Sequence, residues 1–251
     1  MTASNVTNII LQIALAAIPA ILAITLHQAA HGYAALALGD DTAKQAGRLS
    51  LNPIRHIDRV GTIILPGFLL LFQLLTLGRV LFMFGWAKPV PVSAWKFKDP
   101  RRGMALVACA GPLMNFFLAW VAALLMPAPS AAVDNGLDYL DASISQHPLV
   151  GLFLFYFMLT NLVLGLFNLL SIPPLDGGRI AVGLLPLELA RGWARLERVG
   201  IIIVIVVVFL LPHLIPGFDP FGQALNTIVP RAISLLLRLA GHDIGGGDVH
   251  I

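Results

Sequence analysis

The sequence predicts an all-α membrane protein, a polytopic helical bundle of about five full spans plus one re-entrant or broken segment. Three observations predict it. Of 251 residues, 58% are hydrophobic and 12% charged, and mean hydropathy is +0.86. Soluble domains carry about 25% charge and 45–50% apolar residues. The apolar residues gather in runs near the ~20 that a helix needs to cross a hydrocarbon core. The charges gather between the runs, and the loops differ in their content of Lys and Arg.

The runs fall at about 8–30, 62–83, 103–126, 149–170, 199–215 and 222–240. The first follows "MTASNVTN", which has no basic residue. A cleavable signal peptide needs a positive leading region and a cleavage site, so this run reads as a retained transmembrane helix. Residues 39–59 carry Lys44, Arg48, Arg55 and Arg59, and residues 84–102 carry Lys88, Lys96, Lys98, Arg101 and Arg102. Residues 179–198 carry Arg179, Arg191, Arg195 and Arg198, whereas 127–148 holds Asp134, Asp138 and Asp141 and no Lys or Arg. The excess of basic residues on cytoplasmic loops places the first three inside and the last outside.

Both flanks of 62–83 are then cytoplasmic, so this run does not cross once as a simple helix. Pro66, Gly67 and Gly78 fit a broken or re-entrant path, which is tolerated where other protein covers it. Run 199–215 is short and ends in the turn sequence "LPHLIPGFDPFG". With 62–83 discounted, 8–30 and 149–170 both end on the cytoplasmic side. Residues 1–241 read as one integral-membrane domain and 242–251 as a flexible glycine-rich tail. The single cysteine, Cys109, sits in an apolar run and reads as a small buried hydrophobe.

Three groups fall at that shared cytoplasmic end. His27 and His31 are four residues apart, so a helix presents them on one face. A catalytic zinc takes three ligands from His, Asp or Glu and keeps a fourth position for water. The best third ligand is Asp176 in "NLLSIPPLDGGRI", where Pro173 and Pro174 stop the preceding helix and Gly177 and Gly178 let the backbone turn. The alternatives are a pair of interfacial histidines bonded to backbone, and an Asp176 that only caps the next helix.

The run "HQAAHGYAALALGDDTAKQAGRLSLNPIRHIDRVGTIILP", with "FGWAKPVPV", "AGPLMN" and "NLVLGLFNLLSIPPLDGGR", resembles the site-2 protease family of intramembrane zinc metallopeptidases (peptidase M50). The likeness is to its short bacterial members without a PDZ domain, and it covers roughly residues 10–190. It implies one Zn2+ held by His27, His31 and Asp176, and cleavage of peptide bonds in or near transmembrane segments. It implies a multi-pass protein of the cell membrane with its active site towards the cytoplasm. It also implies a small cytoplasm-facing β structure, with strands from "GRLSLNP" and "KPVPVSAWKF". An exposed edge there would pair with an unwound substrate segment by strand addition.

One position departs from the family. Glutamate stands between the histidines in HExxH, whereas this chain has Gln28. That carboxylate takes a proton from metal-activated water and passes it to the leaving amine. Glutamine keeps the shape and cannot accept the proton, so metal binding is expected to persist while turnover is nearly abolished. With its surroundings preserved, Gln28 reads as an inactivating substitution, engineered or natural.

Asn115 reads as a donor to the scissile carbonyl or its oxyanion, or as a helix–helix hydrogen bond beside small Gly111. Asn52, His56, Asp58 and Asn168 are candidates for orienting a ligand or lining the site; His56 and Asp58 otherwise belong to an exposed loop. Asn161 and Asn168 share a helix face read as turned to the bundle interior. His147, His213, His242 and His250 read as solvated. The expected partners are a transmembrane protein or peptide substrate and the lipid bilayer, with no nucleic acid; the oligomeric state stays open. Two other functions fit less of the pattern: a zinc-holding pseudoprotease that binds without cutting, and a metal or proton transporter, which would need more buried charge in the outer halves of the spans.

Overall fold

The structure, a computed structural model, describes residues 3–78, 85–130, 133–215 and 217–245. Helix α1 covers Ala3–Ala37 and ends where Gly39 adopts φ +99, the left-handed position that glycine takes without a Cβ penalty. A π-helical turn, Arg59–Ile64, capped by the Asp58 carboxylate at the N–H groups of Val60 and Gly61, leads into α2, Leu65–Leu77. Helix α3, Pro100–Leu125, starts on Asp99, whose side chain accepts from the N–H groups of Arg101 and Arg102, both at 3.1 Å. Short α4, Gly136–Gln146, is capped by Asn135 and precedes α5, Pro148–Asn168. Two nine-residue helices follow, α6, Asp176–Leu184, and α7, Leu187–Arg195. Helix α8, Pro220–Leu239, has Asp219 as its cap and proline at its first position.

Among the described residues three helices are long and apolar enough to cross a bilayer: Ala14–Ala37, Pro100–Leu125 and Pro148–Asn168. They match the first, third and fourth runs and make this a helical, multi-pass membrane protein. The expected count of about five spans is not shown by the described residues. Helix α2 has 13 residues, about 20 Å at 1.5 Å per residue, short of the ~30 Å core. It falls in the broken segment expected at 62–83, of which residues 79–83 lie outside the described residues. Run 199–215 is divided into Gly200–Val204, a π-helical Ile205–Leu210 and Leu211–Leu214. Helix α8 has the length, but Gln223, Asn226, Arg231 and Arg238 interrupt its apolar character.

The expected β structure is corrected as well. No strand occurs among the described residues. Residues 48–52 and 85–93 form no ladder, and Pro89 and Pro91 explain why: they remove alternate N–H donors that a ladder needs. A side chain replaces it. The buried Arg48 guanidinium donates to the carbonyls of Arg55, Lys88 (2.7 Å) and Pro89 (3.5 Å).

The chain divides into two compact units. One comprises Met1–Ala23, Pro112–Leu170 and Gly217–Ile251; the other comprises Ile24–Gly111 and Ser171–Pro216. The first is an apolar core in which Ala119, Ala122 and Ala123 of α3 meet Tyr139, Met158, Leu162, Ile233 and Leu237. The alanines flatten one face of α3 and admit large residues opposite. His242, expected to be solvated, is only partly exposed. One ring nitrogen meets the Ala123 carbonyl at 2.8 Å and the other the Tyr139 hydroxyl at 2.7 Å. Ile244 is buried and the Gly245 N–H donates to the Val133 carbonyl. Residues 246–251, His250 among them, and the side chain of His213 lie outside the described residues.

In the second unit Ala35, Phe97 and Val107 are packed together. Glycines set its close approaches: a Cβ on Gly103 would lie 2.5 Å from the Phe97 ring, and one on Gly183 would lie 2.3 Å from Ala105. Arg101 donates to the Leu185 carbonyl at 2.9 Å and ties the end of α6 to the start of α3.

Candidate metal centre

All three expected ligands lie in the second unit. His27 and His31 project from one face of α1 with ring centroids 4.7 Å apart and planes at 88°. Their Nε2 atoms are 3.1 Å apart. Asp176 is the first residue of α6, and its Oδ2 lies 3.1 Å from His27 Nε2 and 3.3 Å from His31 Nε2. All three residues are buried.

The second element arrives at α1 through a tightly packed turn. The Trp193 indole donates to the Ser171 carbonyl at 3.0 Å. A Cβ on Gly178 would lie 2.4 Å from the Pro173 nitrogen, and one on Gly200 would lie 1.5 Å from the Pro173 oxygen. Side chains at either position would push the turn, and with it Asp176, out of place. Gly178 was legible as a turn residue. Gly200 and Trp193 were not, because only the folded chain brings them to Pro173 and Ser171.

The donor set fits a metal ion on three grounds. First, Asp176 Oδ2 is buried and accepts no hydrogen bond, although two ring nitrogens stand within 3.3 Å. Buried polar atoms without partners are uncommon, and a buried carboxylate without one is costly. Second, His31 Nδ1 meets the Val107 carbonyl at 2.8 Å. A carbonyl only accepts, so Nδ1 carries the hydrogen and, in the neutral ring, Nε2 presents its lone pair to the centre. Third, edges of 3.1–3.3 Å between the three donor atoms match the edge of about 3.3 Å that bonds of roughly 2.0 Å make in a tetrahedron. Among the described residues two other buried side-chain atoms lack hydrogen bonds, Arg48 Nε and His56 Nδ1, but neither joins such a group there.

Gln28 follows the first ligand on α1 and is partly exposed. The remaining candidates hold their own segments together. The exposed Asn52 caps the 3-10 turn Pro53–His56 through the N–H of Ile54. His56 is buried, not a loop residue in solvent; its Nε2 donates to the Ser50 carbonyl at 2.7 Å, and its own carbonyl accepts from Lys88. Asp58 is the cap described above. Asn115 and Asn168 belong to the first unit. Asn115 donates to Asn161 Oδ1 at 2.8 Å, Asn161 donates to the Phe157 carbonyl, and Asn168 donates to the Leu164 carbonyl at 2.9 Å.

Outside this geometry, comparison with known proteins points the same way. The sequence model of Peptidase family M50 matches residues 14–212. Two relatives bear the name "Putative zinc metalloprotease". YwhC of Bacillus subtilis (strain 168) is 40% identical over 192 residues, which are 76% of this chain and 78% of that protein. Rip2 of Mycobacterium tuberculosis (strain ATCC 25618 / H37Rv) is 31% identical over 221 residues, 88% of this chain and 75% of that protein. No solved structure matches significantly.

Proposed function

This chain belongs to peptidase family M50, and on that premise we propose that it is a zinc endopeptidase of site-2 protease type with its general base replaced by Gln28. It would act on peptide bonds in or near transmembrane segments of other membrane proteins. The observation that carries this reading is the convergence of His27, His31 and a hydrogen-bond-poor Asp176 within 3.3 Å of one another.

His27, His31 and Asp176 would hold the ion. Bound there, zinc supplies a Lewis acid that acidifies water and polarises the scissile carbonyl. His31 keeps its lone pair on the site through the Val107 carbonyl. The residue at 28 must hold and move the proton between water and the leaving amine. An amide has no proton-accepting oxygen of useful basicity, so the cycle stops at Gln28. The substrate helix must unwind locally, since a helix already pairs and shields its carbonyls. The basic loops 39–59, 84–102 and 179–198 support an orientation with the site towards the cytoplasm, in the cell membrane.

Gln28 itself favours a second reading, a pseudoprotease that grips membrane proteins without cutting them. One experiment separates the two. Gln28→Glu is purified with zinc and incubated with a membrane protein known to be cut by a site-2 protease of this type. New cleavage products establish the enzyme. Capture of that protein by both forms, with cleavage by neither, establishes the pseudoprotease.

A further inference from the structure

Helix α3 passes directly behind both imidazoles. Its Val107 carbonyl takes the His31 Nδ1 hydrogen at 2.8 Å, and Gly111, one turn later and on the same face, lies under the rings. A Cβ built on Gly111 would stand 2.5 Å from His27 Cε1, 2.6 Å from His27 Nε2 and 2.6 Å from His31 Cε1. Ordinary carbon contacts begin near 3.5 Å, so any side chain there displaces the rings by about 1 Å. The three donor atoms are only 3.1–3.3 Å apart, and a shift of that size opens the group. His31 has little freedom to yield, because its other nitrogen is tied to Val107. Glycine inside a helix costs about 1 kcal/mol relative to alanine, so a helix interior alone would favour alanine at this position. The other tight glycine of this stretch of α3, Gly103, presses on the Phe97 ring and on neither histidine.

Resting on the zinc-site reading above, we infer that the turn Val107–Gly111 of α3 is the positioning element of the metal centre: the carbonyl selects the His31 tautomer, and the absent side chain at Gly111 lets both rings reach one ion. Gly111 is a positioning residue and touches no reacting atom.

The test needs no turnover, which suits a chain carrying Gln28. Zinc affinity is measured on the full-length protein in nanodiscs by competition with a chromophoric chelator. Ligand geometry is read from the visible bands of the Co2+-loaded protein. Wild type binding one zinc, and His27→Ala losing it, test the zinc-site reading by itself. Gly111→Ala is then expected to weaken zinc binding roughly 10- to 100-fold, the range for changes just outside a ligand shell, and to alter the cobalt bands, while Gly103→Ala leaves both as in wild type. Unchanged affinity and bands in Gly111→Ala, or an equal loss in Gly103→Ala, overturn the inference and leave the zinc site standing. Wild type without zinc overturns both. Should Gly111→Ala fail to fold, the same change is made in a His27→Ala, His31→Ala chain, where the crowding is gone. Folding there, with a thermal midpoint no lower than its parent, supports the inference; failure there too overturns it.

Discussion

Two buried carboxylates of the second unit are handled in opposite ways. Asp40, just past the end of α1, is fully buried and surrounded by donors. Its oxygens accept from the Ser93 N–H at 2.6 Å, the Thr42 N–H at 3.0 Å and the Thr42 hydroxyl, with the Lys96 ammonium at 3.4 Å. Asp176 is buried too, though 8% exposed, and its Oδ2 has no hydrogen-bond partner but faces two ring nitrogens. The first carboxylate is closed by protein and serves as a clamp between residues 40–42 and 93–96. The second faces the two imidazoles with which it forms the candidate metal centre. A buried charge is tolerated only when paired, so the difference separates a structural carboxylate from one grouped with other metal-ligating side chains.

The comparison can be broken at its strongest point first. Gln28→Glu adds a proton carrier beside the open site, and general acid–base catalysis contributes about 10²- to 10⁴-fold; peptide cleavage should rise by that order, with zinc content unchanged. Asp176→Ala should abolish stoichiometric zinc, a loss beyond the roughly 10- to 100-fold of outer changes. In contrast Asp40→Ala should leave zinc content intact; metal analysis of the two variants side by side decides whether the distinction holds.

Smaller effects sharpen it. Asn161→Leu removes the hydrogen bond that the buried Asn115 amide donates to Asn161, and a typical intramolecular hydrogen bond contributes about 0.5–1.5 kcal/mol. Thermal unfolding should show that loss without any change in zinc binding. The smallest effect concerns pH. Burial pushes the Asp40 carboxyl up, but the Ser93 N–H, the Thr42 hydroxyl and N–H and the Lys96 ammonium together hold it below the ordinary range. A lowered folded value means that its contribution is complete above the unfolded value of about 3.9 and is lost as pH falls through the folded value. The thermal midpoints of wild type and Asp40→Asn, measured metal-free, should therefore differ most above pH of about 5 and converge in acid. Convergence on raising the pH instead would contradict the clamp.

How much could be read beforehand varied with the range of the interaction. The two histidines share a helix face by spacing alone, and Asp176 stood out as a carboxylate between a proline pair and a glycine pair. The strands failed because Pro89 and Pro91 interrupt the ladder and Arg48 takes over its role from 40 residues away. His56 and His242 were read as solvated or loop residues because their acceptors, Ser50 and Ala123, give no mark in the primary structure of being near. Gly111 was visible as a small residue suited to helix packing, but not as the surface beneath the two imidazoles.

Local chemistry, then, was determined by the sequence itself: apolar runs make membrane helices, a spacing of four makes a paired face, and proline next to glycine makes the turn that presents a carboxylate. Which groups end within 3.3 Å of one another, and which buried carboxylate is closed or open, was decided by tertiary structure alone. The physical reason is range. Backbone geometry and helix periodicity act over a few residues, whereas satisfaction of a buried polar group depends on whichever distant segment packs against it.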